Sequence, residues 1–158
     1  MPLRSDPSSP PNPRLAALRL LGRRDYTTVE LRRKLIERGC EGEAVDAALR
    51  KLAADGLLDD RRAAAAHVRS GIAVKGRGRR RLKQELQQRG VAAATISELT
   101  DGVPTEDEEA AIERILTRKR VPTSLAAADH RRIFQQLMRR GFPSETIAAV
   151  LRKRRGRP

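Results

Sequence analysis

The segment LRRKLIERG, at residues 31–39, decides the fold because the chain repeats its pattern twice. The further copies are LKQELQQRG at residues 82–90 and IFQQLMRRG at residues 133–141, so the closing glycines lie 51 residues apart. Each copy places two aliphatic residues four positions apart, which puts them on one face of a helix. Each copy also ends in a glycine, which can adopt the left-handed conformation that stops a helix. Each segment therefore predicts a helix that ends at its glycine.

The sequence around the closing glycines Gly39, Gly90 and Gly141 repeats as well. An apolar residue follows each glycine directly and another lies six positions after it, which predicts a second helix. These pairs are Cys40 and Val45, Val91 and Ile96, and Phe142 and Ile147. Another apolar helical stretch precedes each copy, at residues 15–21, 63–74 and 110–116. The repeating unit is therefore three helices.

No run of alternating apolar and polar residues is long enough to predict a strand, so we expect an all-α fold. Three tandem three-helix repeats are predicted, followed by a basic tail and preceded by a proline-rich leader that we expect to be disordered. The predicted boundaries are leader 1–13, repeats 14–58, 59–103 and 104–154, and tail 155–158. Because such short units bury little surface alone, we expect the repeats to stack into an elongated, curved molecule.

The sequence also contains residue patterns that typically cap the starts of helices. Thr27 with Glu30, and Thr105 with Glu108, match the pattern of a capping box, in which the two side chains bond each other's backbone N–H groups. Asp59 or Asp60 is placed to cap the first helix of the second repeat.

Composition limits the possible partners and compartments. The 158 residues include 34 Lys or Arg against 20 Asp or Glu, and this net charge of +14 favours a polyanionic partner. With one Tyr, two Phe and no Trp, stacking platforms for nucleic-acid bases are nearly excluded. The single cysteine, Cys40, excludes an internal disulfide and fits a cytoplasmic protein. No stretch approaches the roughly 20 apolar residues of a membrane span, so no membrane partner is expected.

The positive charge is concentrated in the second repeat. Residues 61–89 contain ten Lys or Arg and a single acidic residue, Glu85. The candidate contacts for a partner or its phosphates are Lys75, Arg77, Arg79, Arg80, Arg81, Lys83, Gln84 and Gln87. Weaker candidates on the equivalent helices are Arg32, Arg33 and Arg139. Six of these candidates are Lys or Arg residues between positions 75 and 83. If each contacted a phosphate of duplex DNA, a plot of log binding constant against log salt concentration would have a slope of about −5.

Helix stability does not explain the arginines at residues 79–81, because the positive end of the helix dipole disfavours cations there. The backbone N–H groups of that helix start, beside the flexible Gly76 and Gly78, predict a phosphate cradle. Arg80, Lys83, Gln84 and Gln87 form a polar stripe that should point away from the apolar face. A solvated basic loop is the alternative interpretation.

Catalytic patterns are weak. His67 and Ser70 lie one helical turn apart but lack a third partner, so we interpret them as helix-surface residues. One cysteine and two histidines cannot form a zinc site by themselves. The acidic run at residues 106–109 suits the first turn of a helix better than a metal site. We expect no catalytic residue, no cofactor and no metal.

Four segments, in this order and spacing, resemble the RecX family, bacterial regulators of the RecA recombinase. They are ALRLLGRRDYTTVELRRKLIERG at 17–39, LAADGLLDDRR at 52–62, VKGRGRRRLKQELQQRGV at 74–91 and, more loosely, IFQQLMRRGFPSETIAAVL at 133–151. The resemblance implies a non-enzymatic modulator in DNA repair and recombination. It would lie in the groove of the RecA filament on DNA and typically inhibit ATP hydrolysis and strand exchange. We expect a monomer that contacts single- or double-stranded DNA through its basic patch.

A transcriptional regulator is the main alternative, with residues 27–52 acting as a helix-turn-helix reader of the major groove. Against it, recognition helices usually present Arg, Asn, Gln or Ser to base edges near their start, but the helix after Gly39 begins with Glu41 and Glu43. Binding to bare DNA and to recombinase-coated DNA at matched salt separates the two functions.

Overall fold

The structure is a computed structural model that describes residues 11–156. Within that range the chain forms nine helices and no strand, which confirms the predicted all-α fold. The helices are α1 Pro13–Leu21, α2 Thr28–Glu37, α3 Gly42–Ala54, α4 Asp60–Ala73, α5 Arg79–Gln88, α6 Ala93–Asp101, α7 Thr105–Arg118, α8 Ala127–Arg139 and α9 Ser144–Arg155. The three copies of the repeated segment form most of α2, α5 and α8, as their spacing predicts.

The predicted glycine stops are confirmed. Gly39, Gly90 and Gly141 have φ angles of 82°, 73° and 88°, in the left-handed region that favours glycine. In each case the N–H of the following residue donates to the carbonyl of the helix residue five positions earlier, as from Cys40 to Leu35 at 3.1 Å. The apolar residues that directly follow these glycines are buried.

The helix starts confirm some predicted caps and contradict one. Thr27 and Glu30 form the capping box, and Asp59 accepts the N–H of Arg62 at 2.9 Å at the start of α4. The capping box predicted for Thr105 is wrong, because Thr105 is itself the first helical residue and Pro104 occupies the cap without a side-chain bond. The acidic member of that predicted pair is instead bonded to α5, as described below.

The first helix starts at the last residue assigned to the predicted leader. α1 begins at Pro13, and the Asn12 side chain accepts the N–H of Leu15 at 3.2 Å. Proline fits the first helical position because its fixed φ suits a helix and its missing N–H would have no partner there. The remainder of the predicted leader, residues 1–10, and the last two residues of the predicted tail, 157 and 158, lie outside the described range.

The chain divides into two compact units, Met1–Ala63 and Ala64–Pro158. In the first unit α1, α2 and α3 all contact one another around an aliphatic core with one tyrosine and one cysteine. Its buried members are Ala17, Leu20, Tyr26, Leu31, Leu35, Cys40, Val45, Leu49, Leu52 and Leu58.

In the second unit one apolar cluster runs from α4 to α9, so the helices of the predicted second and third repeats share a core. Leu82, Leu86 and Phe142 are among its fully buried side chains. Gly71 on α4 lies so close to Leu82 that a methyl group there would overlap the leucine. The repeat boundaries themselves stay a prediction.

Candidate partner-binding site

The first turn of α5 lies directly against the loop that follows α8. The Gly78 N–H donates to the Arg140 carbonyl at 2.9 Å, and the Arg80 N–H donates to the Gly141 carbonyl at 3.1 Å. A Cβ atom on Gly78 would overlap the backbone of Phe142, and one on Gly141 would overlap the backbone of Arg81. The two glycines therefore allow a backbone approach that brings basic residues of α5 and α8 together.

This packing contradicts the predicted phosphate cradle. The N–H groups of Arg79 and Arg80, at the start of α5, are already bonded to Glu108 and to the Gly141 carbonyl. Gly76 and Gly78 are buried rather than exposed, because the chain on either side of them packs against the third repeat. The helix start thus bonds groups of this protein and does not present those N–H groups to a ligand.

Arg79 makes a structural ion pair. Glu108 is fully buried, and its Oε2 lies 2.7 Å from Arg79 Nη2 and 2.8 Å from Arg79 Nε. Its Oε1 accepts the Arg79 backbone N–H at 2.8 Å, and Arg79 Nη2 also donates to the Val103 carbonyl at 3.3 Å. A buried carboxylate is tolerated only when it is paired and hydrogen-bonded in this way. The contribution of Arg79 to the fold was missed from sequence because its partner is 29 residues away.

Glu85 holds two other predicted contact residues. Its Oε2 accepts from Arg77 Nη1 at 2.7 Å, and its Oε1 accepts from Arg81 Nε at 2.9 Å. His67 Nε2 lies 2.8 Å from the same Oε2, and the His67 side chain is only 9% exposed. The interpretation of His67 as a helix-surface residue is therefore wrong, because it is packed behind Glu85. One carboxylate fixes the directions of both guanidinium groups.

The surroundings of this cluster lower the pKa values of both His67 and Glu85. The pKa of His67 is lowered because burial disfavours its charged form, which outweighs the raising effect of the hydrogen bond to Glu85. Burial alone raises the pKa of Glu85, but hydrogen bonds from Arg81 and His67 and the charge of Arg77 together lower it. Glu85 is thus an anion and His67 a neutral ring at neutral pH.

The predicted polar stripe is exposed. Arg80, Lys83, Gln84 and Gln87 all lie on the solvent side of α5, whereas its Leu82 and Leu86 are buried. Within residues 11–156, the side chains of Arg80 and Lys83 form no ion pair with the protein. These two cations are therefore available to a partner at no loss of an existing contact.

A cationic cleft opens between the start of α5 and the end of α8. Its volume is about 380 Å³, and its lining consists of five basic side chains and one amide. These residues are Lys75, Arg77, Arg81, Gln136, Arg139 and Arg140. We call this the cationic cleft. Among residues 11–156, only Glu85 offsets the charge of the cleft by direct ion pairing, so the cleft concentrates positive potential and attracts anions.

The cationic cleft unites candidates that the sequence placed in different repeats. Lys75, Arg77 and Arg81 meet Arg139, which was one of the weaker candidates. Arg140 and Gln136 were missed, although Arg140 directly precedes a repeated glycine and that position could have suggested it. Arg140 Nη1 donates to the Gly76 carbonyl at 3.2 Å, which holds its guanidinium at the rim.

The weaker candidates of the first unit are engaged locally. Arg32 forms a two-point ion pair with Asp46, at 2.7 and 3.3 Å, and this hydrogen bonding lowers the pKa of Asp46. Arg33 lies 3.8 Å from Glu37 one turn along α2, and both side chains are exposed. Their binding to a partner stays a prediction.

The described part of the chain was not found to hold a metal-binding cluster or a membrane-spanning helix. No three His, Cys, Asp or Glu side chains between residues 11 and 156 are grouped so that they could hold a metal ion. No helix in that range combines the length and apolar character needed to cross a bilayer.

Comparison with known proteins gives a consistent result. The family model described as the first three-helix domain of RecX matches residues 14–52, and the model of the second three-helix domain matches residues 59–99. The regulatory protein RecX of Halorhodospira halophila is 40% identical over 138 residues, covering 85% of this chain and 83% of the relative. That of Trichlorobacter lovleyi is 36% identical over 146 residues, covering 88% and 93%.

Solved structures agree on the fold. RecX from Lactobacillus salivarius superimposes with a TM-score of 0.72 at 19% identity, covering 89% of this chain and 93% of that one. Another crystal structure of a regulatory protein RecX gives a TM-score of 0.74 at 23% identity, covering 87% and 69%. Together with the sequence matches over most of its length, these results show that this chain belongs to the RecX family.

Proposed function

We propose that this protein binds RecA filaments on DNA and lowers their ATPase and strand-exchange activity, as a non-enzymatic cytoplasmic monomer. The observation that carries the proposal is the cationic cleft, in a family whose members are named regulatory proteins. A RecA filament offers both acidic protein surface and DNA phosphate, and either can engage clustered arginines through charge-assisted hydrogen bonds. Each tandem repeat would bind the filament with modest affinity, and their linkage in one chain would raise the overall affinity. The predicted repeats are 14–58, 59–103 and 104–154.

The decisive experiment measures the ATPase rate of RecA on single-stranded DNA as this protein is added. We expect the rate to fall to a plateau as the protein saturates the filament, with strand exchange falling in parallel. An unchanged ATPase rate at saturating protein would refute the proposal. A rise in the rate would keep RecA as the partner but reverse the sign of the regulation.

A binding measurement separates this function from that of a helix-turn-helix transcriptional regulator. Binding to bare DNA and to RecA-coated DNA is compared at the same salt concentration, because phosphate contacts weaken steeply as salt rises. We expect much tighter binding to the coated DNA. Tight binding to one bare sequence, with no gain from RecA, would favour the transcriptional regulator.

Variants connect the function to the cleft. Lys75→Ala together with Arg139→Ala removes two cleft cations that form no ion pair within the described residues. We expect filament affinity to fall about 10-fold or more, since each charged contact contributes roughly 1 kcal/mol. The matched control, Arg19→Ala with Arg23→Ala, removes the same charge from exposed positions of the first unit. Equal losses in both pairs would show that net charge, and not the cleft, governs binding.

A further inference from the structure

A second cavity adjoins the cationic cleft and has a different character. It measures about 540 Å³ and shares Gln136 and Arg139 with the cleft. Its apolar wall consists of Val121, Pro122, Leu125 and Ile133, and we call it the apolar groove. Lys119, Arg120 and Arg132 also line it, together with Asp129, which is paired to Arg132 at 3.0 Å. The two cavities therefore have two lining residues in common, and the second adds an apolar wall that the cationic cleft lacks.

Arg120 at the edge of the apolar groove has a strained backbone. Its φ is 52°, the one positive value outside glycine within the described residues. It ends α7 with the same hydrogen bonds as the closing glycines, its N–H to the Thr117 carbonyl and the Val121 N–H to the Leu116 carbonyl, both at 2.9 Å. Glycine would make this stop without strain, and such strain is typical of functional sites. An arginine in this strained conformation, lining the groove, therefore makes Arg120 a candidate ligand contact.

The cationic cleft is organised in advance for a concentrated negative charge. Glu85 orients Arg77 and Arg81, and the Gly76 carbonyl orients Arg140, so three guanidinium groups lose little freedom when an anion binds. Five cations and one paired carboxylate leave a large positive excess in about 380 Å³. A polyphosphate chain matches that density better than a phosphodiester backbone, which carries one charge per nucleotide.

We propose that the two cavities form one nucleotide site, with a nucleoside polyphosphate as its ligand. The phosphates would occupy the cationic cleft, and the sugar and base would lie along the apolar groove, with Arg139 and Gln136 at the junction. The cavity volumes are within the usual range for small-molecule sites. The site shares its cleft with the proposed function but does not depend on RecA. ATP binding without any effect on RecA would sustain this inference and refute that function.

The test titrates the full chain with ATP, inorganic triphosphate and adenosine at fixed ionic strength without magnesium, by calorimetry. We expect one ATP per chain, bound about 10-fold more tightly than triphosphate and far more tightly than adenosine, because only ATP fills both cavities. Triphosphate binding as tightly as ATP, or no saturable ATP binding, would overturn the two-part site. A dT oligonucleotide should displace ATP only weakly, because its backbone carries one charge per nucleotide. Displacement at nucleotide concentrations equal to that of ATP would overturn the choice of a free nucleotide over a DNA strand.

Arg120→Gly is the most informative variant. It removes the guanidinium and relieves the strained backbone, so we expect an unchanged or higher melting temperature together with ATP affinity reduced about fivefold. Arg152→Ala removes the same charge from an exposed position that lines neither cavity, and should leave ATP affinity unchanged. Unchanged affinity in Arg120→Gly, or equal losses in both variants, would contradict the assignment of Arg120.

Discussion

The equivalent helices α2 and α5 begin in different ways. α2 is capped by its own residues, because Thr27 accepts the Glu30 N–H and Glu30 accepts the Thr27 N–H. A contact from Thr28 to Asp60 at 2.7 Å adds to a cap that is already complete. α5 begins after Gly78 with no local side-chain cap, and Glu108 on α7 bonds its first N–H group instead. The start of α2 thus combines a local cap with a contact from Asp60, whereas that of α5 has only the contact from the third repeat.

The closing glycines show the same contrast. Gly39 and Gly141 have nearly equal φ angles, 82° and 88°. No atom lies within 4 Å of a Cβ built on Gly39, whereas one built on Gly141 overlaps the backbone of Arg81. Gly39 is therefore needed for its conformation alone, and Gly141 for its conformation and for its small size. The two positions separate a local requirement from a tertiary one.

The largest predicted effect compares these two glycines. Gly141→Ala should lower the free energy of unfolding by about 4 kcal/mol, from left-handed strain plus overpacking against α5. Gly39→Ala should cost only about 1 kcal/mol, from strain alone. Urea denaturation followed by circular dichroism measures both. Equal losses would show that the loop after α8 can move away from α5, and the contrast would then fail.

The second prediction compares the two caps. Glu108→Ala should destabilise the protein by about 3 kcal/mol, because it removes the partner of the Arg79 guanidinium and of an α5 N–H group. Thr27→Ala should cost about 1 kcal/mol, the usual loss for an N-cap. Both values come from the same denaturation experiment. If Thr27→Ala proved as damaging as Glu108→Ala, the cap of α5 would be no more than an ordinary local contact.

The same contrast explains what sequence could predict. The glycine stops, the Thr27 cap and the second helix after each glycine depend on residues within a few positions, so spacing was enough to predict them. Thr105 and Glu108 matched the capping pattern equally well, yet Glu108 bonds Arg79 on another helix. No local signal distinguishes the two cases, because the choice is made by packing between distant segments.

The candidate site was predictable to the same extent. The basic run in the second repeat marked Lys75, Arg77 and Arg81, and the repeat alignment suggested Arg139. Arg140 could be added only once Gly78 and Gly141 were known to approach each other. The assignment of Arg79 as an available contact overlooked its buried partner, since sequence gives charge but not burial.

The third prediction divides the arginine run 79–81 by function. Arg79→Ala should lower the free energy of unfolding by about 2 kcal/mol or more, because Glu108 would be left as an unpaired buried carboxylate. Arg80→Ala should change stability by less than about 0.5 kcal/mol, since its side chain is exposed, but should weaken filament binding. Denaturation and filament-binding assays on both variants are sufficient. A loss of stability in Arg80→Ala would contradict this division, because it would show that the Arg80 side chain makes a stabilising contact within the protein.

The smallest predicted effect is a pH dependence of the stability of the second unit. This unit contains both histidines, His67 and His130. The pKa of the partly buried His67 is lowered from 6.5, so the unfolded chain takes up a proton more readily as pH falls through that value. The pKa of Glu85 is lowered from 4.5, so stability falls again below that pH. Both shifts therefore predict stability lost on acidification.

The matched variant is His67→Gln, which keeps a hydrogen-bond donor near Glu85 without a titrating ring. Urea midpoints at pH 7.5 and 5.5 should differ less in this variant than in the unaltered protein. An equal difference in both proteins would show that His67 does not contribute to the pH dependence.

The buried thiol of Cys40 makes the first unit separately observable. It is the only thiol of the chain, and it lies in the core formed by α1, α2 and α3. A thiol-specific reagent added to the native protein reacts only when that core opens, so the labelling rate reports transient opening of the first unit. Followed while RecA filaments are added, the same rate would reveal whether engagement of a partner tightens or loosens a region far along the sequence from the cationic cleft.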